Sequence, residues 1–309
     1  MTALKAVIFL RYLWKTGSKW YNIMKGFIQL IRKTMNRKLI FLDVDGTLTP
    51  PGGQEPPESA VRAIKSAQER GHKVFLCSGR NNAMMVPLYK YGFDGGIASC
   101  GGFVFAGDTV LHDCPMPEDQ KNRLITLFEE NGVSIELEAK DDSYCDGRAK
   151  RFLEDDKDRN SHLLRMIKAV WIELGPHPLE EYDGRPVYKL VCVYESDDQL
   201  QAAKEELGDD LMFIHHDFSE PDCNFGEVIS RMIDKGSAVR LVAEKLGFDI
   251  ADTVGFGDSM LDLEMIEAVG TSVCMDSGSP KLKEMSDLVC PAVDEDGIEW
   301  AFRKLGLID

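Results

Sequence analysis

Residues 39–50 read LIFLDVDGTLTP, a short apolar run that ends in two aspartates, Asp43 and Asp45. A continuous apolar run of this length is typical of a strand buried on both faces of a parallel sheet. Side chains alternate along a strand, so both carboxylates point to one side and Val44 to the other. Asp-Gly also favours a hairpin turn, but residues 47–57 (TLTPPGGQEPP) supply no second strand.

Two neighbouring carboxylates are costly to ionise without a cation. The pair therefore predicts a site for a hard divalent ion such as Mg²⁺, which prefers a few carboxylates together with waters and a phosphate.

Strand and helix patterns alternate in the flanking sequence. A helical pattern over residues 58–71 precedes the strand-like segment KVFLCSGR at residues 73–80. Near the other end, a helical pattern over residues 235–247 precedes the strand-like segment DTVGFGD at residues 252–258. This alternation predicts an α/β fold, a Rossmann-like doubly wound parallel sheet with helices on both faces.

Residues 114–221 have a different pattern. Apolar and polar residues alternate in VSIELEA, residues 133–139, and in RPVYKLVCVY, residues 185–194, as in an antiparallel sheet with one solvated face. We therefore expect a second α+β domain inserted into a core domain formed by residues 38–113 and 222–309.

Three other segments carry polar groups at predicted strand or helix ends, where ligands of open parallel sheets bind. In CSGR, the Ser78 hydroxyl and the Gly79 N–H suit a phosphate oxygen, although a plain turn explains the segment equally well. In DKGSAV, Lys235 opens a helix, where a cation opposes the dipole unless an anion binds there too; the alternative is a surface lysine. In GFGDSMLD, Asp258 follows a strand and Asp262 lies one turn later; alone, both are typical of helix capping.

Taken in order, FLDVDGTLT, CSGR, DKGSAV and GFGDSMLDLEM resemble the four motifs of haloacid dehalogenase (HAD) superfamily phosphatases. The insertion between the second and third motifs resembles the type IIB cap of the Cof-type subfamily. The resemblance covers residues 38–309. It implies a HAD core with an inserted α+β cap domain at 114–221.

The resemblance also implies catalytic and metal roles. Asp43 is expected to be the nucleophile that becomes an aspartyl-phosphate. Asp45 is expected to protonate the leaving alcohol, to activate the hydrolytic water, and to bind Mg²⁺ through its backbone carbonyl. Asp258 is the third expected Mg²⁺ ligand.

Phosphate-binding roles follow from the same resemblance. Ser78, Gly79 and Lys235 are expected to hold the phosphoryl oxygens and to neutralise their charge. Asp262 is expected to lie behind these groups and to orient Lys235 or a metal-bound water.

The sequence departs from the family pattern at two points. Leu261 stands where the fourth motif usually has Asn, and SCGG at residues 99–102 stands where the family often has Asn-Gly. Leu261 removes a polar group near the metal. This predicts weaker Mg²⁺ retention, a compensating polar group elsewhere, or reduced activity.

The resulting hypothesis is a Mg²⁺-dependent phosphomonoester hydrolase with a mobile cap, acting on small phosphorylated metabolites such as sugar phosphates or phosphorylated cofactors. The alternatives are a phosphohexomutase-like phosphotransferase and a non-catalytic phosphate-ligand sensor. In the cap, Lys189 and Arg185 are candidates to meet a substrate carboxylate or a second phosphate. For His215 and His216 we favour structural roles over substrate contact.

Composition argues against a nucleic-acid partner and indicates a cytoplasmic protein. The formal net charge is -16, which argues against a nucleic-acid-binding surface. The eight cysteines form no CxxC pair, and no secretory leader is recognised. They are therefore expected to be reduced thiols of a cytoplasmic protein.

Residues 1–37 are expected to be a basic amphipathic extension outside the fold. Residues 1–42 contain nine Lys or Arg and no Asp or Glu, together with several aromatic residues. This pattern is typical of a helix that lies on an anionic membrane surface, so weak membrane contact is one interpretation. An extension without a role in the fold is the other. The apolar runs are too short for a transmembrane helix.

Overall fold

The structure is a computed structural model that describes residues 37–50, 53, 55–147, 175–220, 223–232 and 234–309. The predicted basic extension therefore lies outside the described residues, except for Arg37. The described residues form two β-sheets, an eight-stranded core sheet and a six-stranded cap sheet.

The core sheet has the strand order β14-β13-β12-β1-β2-β3-β4-β5. Its six strands from β14 to β3 are parallel, and β4 and β5 extend the edge in antiparallel fashion. The chain moves outward from β1 to β3 and later returns to β12 on the other side of β1, so β1 and β12 flank the topological switch point, where ligands of such sheets bind. The strands are β1 Leu39–Leu42, β2 Lys73–Cys77, β3 Gly95–Ala98, β4 Phe103–Ala106, β5 Thr109–Asp113, β12 Thr253–Gly257, β13 Thr271–Met275 and β14 Leu288–Cys290.

Helices cover both faces of the core sheet, which confirms the doubly wound α/β prediction. Leu39 and Phe41 of β1 pack with Val239 on one face, whereas Ile40 and Leu42 pack with Ile64 and Phe302 on the other. This two-sided burial explains why the apolar run in residues 39–42 is continuous. The core helices are α1 Glu58–Glu69, α2 Asn82–Tyr89, α5 Lys235–Leu246, α6 Leu263–Ala268, α7 Pro280–Met285 and α8 Gly297–Lys304.

The cap sheet has the order β10-β11-β9-β6-β7-β8 and is antiparallel apart from the short β7–β8 pair. One face packs on α3 Glu118–Glu130 and α4 Gln201–Glu206, with Leu137, Leu190 and Phe128 in a common apolar cluster. The other face carries Glu138 and Lys189. The strands are β6 Ser134–Ala139, β7 Ser143–Cys145, β8 His177–Pro178, β9 Val187–Tyr194, β10 Leu211–Glu220 and β11 Cys223–Ser230.

The structure corrects the predicted boundary between cap and core. Residues 222–309 were expected to belong to the core, but β11 lies in the cap sheet between β10 and β9, with Gly226 opposite Cys192 and Val228 opposite Leu190. The chain returns to the core only after Ser230. The predicted boundary falls between β10 and β11, which pair with each other, so it separates two strands of the cap sheet rather than the cap from the core.

Among the described residues, no helix combines the length and the apolar character needed to cross a bilayer. Among the described residues, seven cysteines form no disulfide: Cys77, Cys100, Cys114, Cys145, Cys192, Cys274 and Cys290.

Candidate active site

The predicted site residues converge at the carboxyl edge of the core sheet. Asp43 follows β1, Ser78 follows β2 and Asp258 follows β12, and these three strands are neighbours that run in parallel. The Asp43 N–H donates to the Phe256 carbonyl at 3.0 Å, so the sheet ladder continues to the first aspartate. Adjacent parallel strands thereby bring together residues that lie far apart in the sequence.

Lys235 is the centre of this cluster. Its Nζ lies 2.7 Å from Asp43 Oδ1 and 2.6 Å from Asp262 Oδ1, and the residue is 4% exposed. Burial lowers the pKa of Lys235, but the Asp262 and Asp43 carboxylates outweigh it and hold that pKa well above its usual value. The lysine is therefore a permanent cation beside the predicted nucleophile.

The start of α5 fixes Lys235 in this position. Asp234 caps the helix, since its Oδ1 accepts from the Ser237 N–H at 2.6 Å. Gly236 lets α5 approach α6 closely, because a Cβ there would lie 2.2 Å from the Glu264 carbonyl oxygen. The DKGSAV segment thus supplies a cap, a cation and a close helix contact in three successive residues.

Asp262 is fully buried and accepts hydrogen bonds from three neighbouring residues. Its Oδ1 accepts from Lys235, and its Oδ2 accepts from the N–H groups of Asp258 and Ser259 at 3.0 and 3.1 Å. Both oxygens are already engaged, which favours the predicted orienting role over direct metal ligation.

Asp258 is enclosed by the loop that follows β1. Thr47 Oγ1 donates to Asp258 Oδ1 at 3.2 Å. Gly46 has φ +84°, and a Cβ at this position would lie 2.4 Å from Asp258 Oδ2. Glycine is therefore required here both for the backbone conformation and for the close approach of the carboxylate.

Asp43 and Asp258, with Asp262 close to both, form a cluster of acids that suits a hard cation. Oxygens of Asp43, Asp258 and Asp262 lie within 4.8 Å of one another. Burial, followed by the charge of Asp262, raises the pKa of Asp43 well above its usual value and that of Asp258 to about 7. These carboxylates together carry more negative charge than Lys235 neutralises, so an all-oxygen divalent site fits the residues present.

Ser78 and Gly79 lie in the loop between β2 and α2. Ser78 is 2% exposed, and its Oγ accepts from the Arg80 N–H at 3.1 Å. Its carbonyl accepts from the Cys100 N–H, which ties this loop to the SCGG turn. In that turn Ser99 and Cys100 have φ of 49° and 55°, a region in which Asn is favoured among side-chain-bearing residues. The departure from Asn-Gly is thus accommodated without losing the turn.

Sequence reasoning missed Arg80. Its Nε and Nη2 donate to Asp45 Oδ2 and Oδ1 at 2.8 and 2.6 Å, a two-point ion pair, and the arginine is 5% exposed. In the sequence, Arg80 is distinguished only by its place directly after Ser78 and Gly79. That place does not reveal that its side chain pairs with Asp45.

The two cap cations already have anionic partners. Lys189 Nζ lies 2.9 Å from Glu138 Oε1 and 3.1 Å from Glu227 Oε1, and it donates to the Gly79 carbonyl at 3.2 Å. Arg185 pairs with Asp183 and Asp142. Both cations are thus paired with carboxylates in this structure, and their contact with a substrate carboxylate or second phosphate stays a prediction.

His215, His216 and Leu261 are the remaining residues of interest from the sequence. His215 Nδ1 shares a 2.6 Å hydrogen bond with the Tyr194 hydroxyl. The side chain of His216 lies outside what the structure describes. Leu261 is 43% exposed, and its N–H donates to Ser259 Oγ at 3.2 Å. Its side chain is therefore not part of an apolar core.

Comparison with known proteins finds a family and a relative that match most of the chain. The sequence model of the haloacid dehalogenase-like hydrolases matches residues 40–302. The Bacillus subtilis protein named "Putative phosphatase YkrA" is 32% identical over 275 residues, covering 89% of this chain and 100% of its own.

Two more distant matches extend the comparison. A second B. subtilis protein, 5-amino-6-(5-phospho-D-ribitylamino)uracil phosphatase YwtE, is 27% identical and covers 87% of this chain and 98% of its own. Among solved structures, the HAD subclass IIB sugar phosphatase BT4131 superposes with a TM-score of 0.70 at 21% identity. The superposition covers 88% of this chain and 100% of that one, and it establishes the shared fold with its cap.

Proposed function

The chain belongs to the haloacid dehalogenase-like hydrolases and is a phosphatase, and we propose that it hydrolyses small phosphomonoesters with Mg²⁺ through an aspartyl-phosphate on Asp43. One observation carries the mechanism. The Asp43 carboxylate lies at the switch point of the sheet with Lys235 Nζ 2.7 Å away and the carboxylates of Asp258 and Asp262 beside it. A nucleophile, a fixed cation and a metal-binding set thus share one buried site.

In the first half-reaction, an oxygen of Asp43 attacks the phosphorus and the bond to the leaving oxygen breaks. Lys235, Ser78 and the Gly79 N–H bind the phosphoryl oxygens, where charge shifts in the transition state. Asp45 gives its proton to the departing alkoxide, so the alcohol leaves neutral.

In the second half-reaction, Asp45 takes a proton from water, which attacks the phosphorus of the aspartyl-phosphate. Asp43 is released as a carboxylate, and inorganic phosphate is the product. Arg80 donates to both oxygens of Asp45 and so fixes the orientation of this side chain.

The residues proposed to hold Mg²⁺ are Asp43, the backbone carbonyl of Asp45, and Asp258. Asp262 orients Lys235 and the Asp258 backbone, since both of its oxygens are occupied. When bound, the ion would neutralise excess carboxylate charge and polarise the phosphoryl group.

The proposed substrates are small phosphorylated metabolites, sugar phosphates or phosphorylated cofactors. This is supported by relatives that are named for a phosphoribitylamino compound and for sugar phosphates. We propose a cytoplasmic location, which is supported by the seven described cysteines that form no disulfide. Nucleic acid is not a proposed partner, and weak membrane contact through residues 1–37 stays a prediction.

No specific observation favours the two alternative functions. A phosphohexomutase-like enzyme must accept a sugar bisphosphate, and the cap cations Lys189 and Arg185 are already paired with carboxylates. A phosphate sensor without activity does not need Asp45, yet Asp45 is held by two short hydrogen bonds at the site.

The test is rapid quench with a labelled phenyl phosphate, followed by mass analysis of the peptide that spans residues 39–50. Asp43→Asn is expected to abolish turnover with Mg²⁺ binding still measurable, because an amide keeps the shape of the carboxylate but is a poor nucleophile. Asp45→Asn is expected to accumulate the phosphorylated peptide. Phenolate can leave without being protonated by residue 45, but hydrolysis of the aspartyl-phosphate needs a base there to activate water. Beryllium fluoride, which mimics the acyl phosphate, is expected to inhibit the wild type.

Wild type measured with and without EDTA is the control for Mg²⁺ dependence. If Asp43→Asn retained more than about a hundredth of wild-type turnover, a barrier increase of only ~2.7 kcal/mol, Asp43 would not be the nucleophile. Attack by a water molecule directly on phosphorus would then replace the covalent route.

A further inference from the structure

A cavity of about 450 Å³ lies at the carboxyl edge of the core sheet, beside the proposed metal-binding acids. The described residues that line it belong to the loops that follow β1, β12, β13 and β14, and all of them are core residues. They include Gly46, Asp258, Ser277, Ser279 and Asp294. Four neighbouring strands of the sheet thus end around one cavity.

The cavity reaches the carboxylate of Asp258. Within the acid cluster, Asp43 is 6% exposed and Asp262 is 0% exposed, whereas Asp258 is only half-buried. Asp258 and Gly46 both line the cavity, and a Cβ on Gly46 would lie 2.4 Å from Asp258 Oδ2. The cavity therefore ends where Asp258 is proposed to bind Mg²⁺.

The cap contacts the active-site loops on the other side of β1. Lys189 Nζ donates to the Gly79 carbonyl at 3.2 Å, and Asn81 Nδ2 donates to Ser143 Oγ in the cap at 3.2 Å. Gly79 and Asn81 both follow β2, whereas the cavity lies among the loops that follow β1, β12, β13 and β14. The sheet order therefore separates the phosphate loop, which the cap covers, from a cavity that no described cap residue lines.

The size and the polarity of the cavity suit a hydrated divalent cation. Mg²⁺ gives up its waters reluctantly, so it must approach its protein ligands as a hydrate. Six waters at about 30 Å³ each need roughly 180 Å³, which is less than half of the cavity. The hydroxyls of Ser277 and Ser279 are groups that can accept hydrogen bonds from such waters.

The charges that line the cavity have one sign. Among the described lining residues two are acidic, Asp258 and Asp294, and none is basic. Asp294 is exposed, so it lies at the solvent end, whereas the half-buried Asp258 lies at the inner end. A cleft lined by one sign of charge concentrates counter-ions and raises their association rate by about 10- to 10³-fold. The cavity therefore attracts cations toward the acid cluster.

We propose that this cavity is the entry route of the hydrated divalent cation, with Asp294 attracting the ion at the mouth and Asp258 receiving it. The phosphate ester binds on the side that the cap covers, so exchange of the cation does not require the cap to open. The entry route rests on the proposed function, because it leads to the Mg²⁺ site assigned there.

The test measures exchange of Mn²⁺, which binds to the same oxygen ligands as Mg²⁺ and gives an electron paramagnetic resonance signal when free. That signal gives Kd at equilibrium. Stopped-flow mixing of the Mn²⁺-loaded protein with an excess of a chelating indicator gives the dissociation rate constant koff. The ratio koff/Kd gives the association rate constant kon. Neither measurement depends on turnover.

Ala292→Trp is the diagnostic variant, because Ala292 lines the cavity and an indole at this position obstructs it. Both kon and koff are expected to fall at least about tenfold while Kd stays within about threefold of wild type, because an obstruction slows passage without changing the bound state. Val110→Trp is the control, since Val110 is 52% exposed on β5, at the far edge of the core sheet. The control is expected to leave all three constants unchanged.

Asp294→Lys tests the charge at the mouth of the cavity. Its kon is expected to fall about tenfold at low salt and to return to within about twofold of wild type in about 1 M KCl, because salt screens exposed charges. Glu130→Lys makes the same change in net charge at an exposed position of the cap, and it is expected to keep the wild-type kon.

A folded Ala292→Trp whose kon stays within about twofold of wild type overturns the entry route. If this variant does not fold, Asp294→Lys decides: a kon that is unchanged, or that is slowed equally at low and high salt, overturns the route. A wild type that binds no Mn²⁺ refutes the proposed metal role and the route together. Absence of p-nitrophenyl phosphate hydrolysis with the expected exchange rates refutes the proposed function alone and supports the route.

Discussion

At the scale of single residues, the Arg80–Asp45 pair links the phosphate loop to the proposed acid–base group. The guanidinium holds both oxygens of Asp45, so the orientation of this side chain is fixed. The same pair must loosen when Asp45 carries the proton for the leaving alcohol. Arg80 is therefore a positioning residue whose effect depends on the leaving group.

Arg80→Lys is expected to lower kcat/KM about tenfold for an alkyl phosphate, because a lysine replaces the two-point fork with one point charge. The loss is expected to be smaller for p-nitrophenyl phosphate, whose leaving group needs little protonation. Steady-state kinetics on both substrates check this, with the exposed Arg62→Lys as a control. Equal losses on both substrates would show that Arg80 does not act through Asp45.

Leu261→Asn is expected not to lower turnover, and the Mg²⁺ concentration for half-maximal activity is expected to stay equal or fall. The side chain is 43% exposed, so no packed cavity is created, and Asn supplies a polar group near Asp258. A Mg²⁺ titration of activity with a parallel thermal melt is the measurement. A large loss of turnover would mean that Leu261 supports the metal site through contacts that an amide cannot replace.

At the scale of elements, the junction of α5 and α6 sets the distance from Lys235 to Asp43. Gly236→Ala is expected to destabilise the protein by about 1–3 kcal/mol and to reduce kcat, because its Cβ meets a backbone carbonyl that cannot rotate away. Urea denaturation and kcat measure the two effects.

Gly147→Ala, in the cap, is the matched control, since a Cβ there meets no atom within 4 Å. If Gly236→Ala were as stable and as active as the control, the close approach of α5 and α6 would not be what positions Lys235.

Part of the fold and part of the candidate site were predictable from the sequence. The alternation of strand and helix patterns predicted the sheet, and the resemblance to the four family motifs grouped Asp43, Ser78, Lys235 and Asp258. The pairing of Arg80 with Asp45 and of Lys189 with two glutamates was not predictable, because both depend on which residues face each other across separate elements. The exit from the cap was misjudged for the same reason, since β11 alone does not reveal which sheet it joins.

At the scale of the whole molecule, the described fold begins at residue 37. The Lys38 N–H donates to His72 Nδ1 at 2.9 Å, and Lys38 Nζ pairs with Asp252 at 2.7 Å. The family match begins at residue 40. These contacts tie the start of β1 to the core without any residue before Arg37.

Deletion of residues 1–36 is therefore expected to leave a folded, active enzyme. A thermal melt and p-nitrophenyl phosphate turnover compare it with the full chain, and flotation with anionic vesicles tests the membrane interpretation. Loss of the cooperative melt would mean that the segment contributes to the core. Vesicle binding by the full chain alone would favour membrane contact.

The central position of β1 has a consequence for biosynthesis. Lys235 contacts Asp43 across 192 positions of the chain, and Asp258 and Asp262 are made later still. At about 5–20 residues per second, a ribosome that has just made Asp43 needs roughly 10–40 s to reach the lysine. During that interval the proposed nucleophile has no counter-charge from Lys235, and β1 has no β12 beside it. A nascent chain from stalled translation therefore carries the first motif without the residues that complete the site. Catalytic competence is acquired only when the last quarter of the polypeptide emerges.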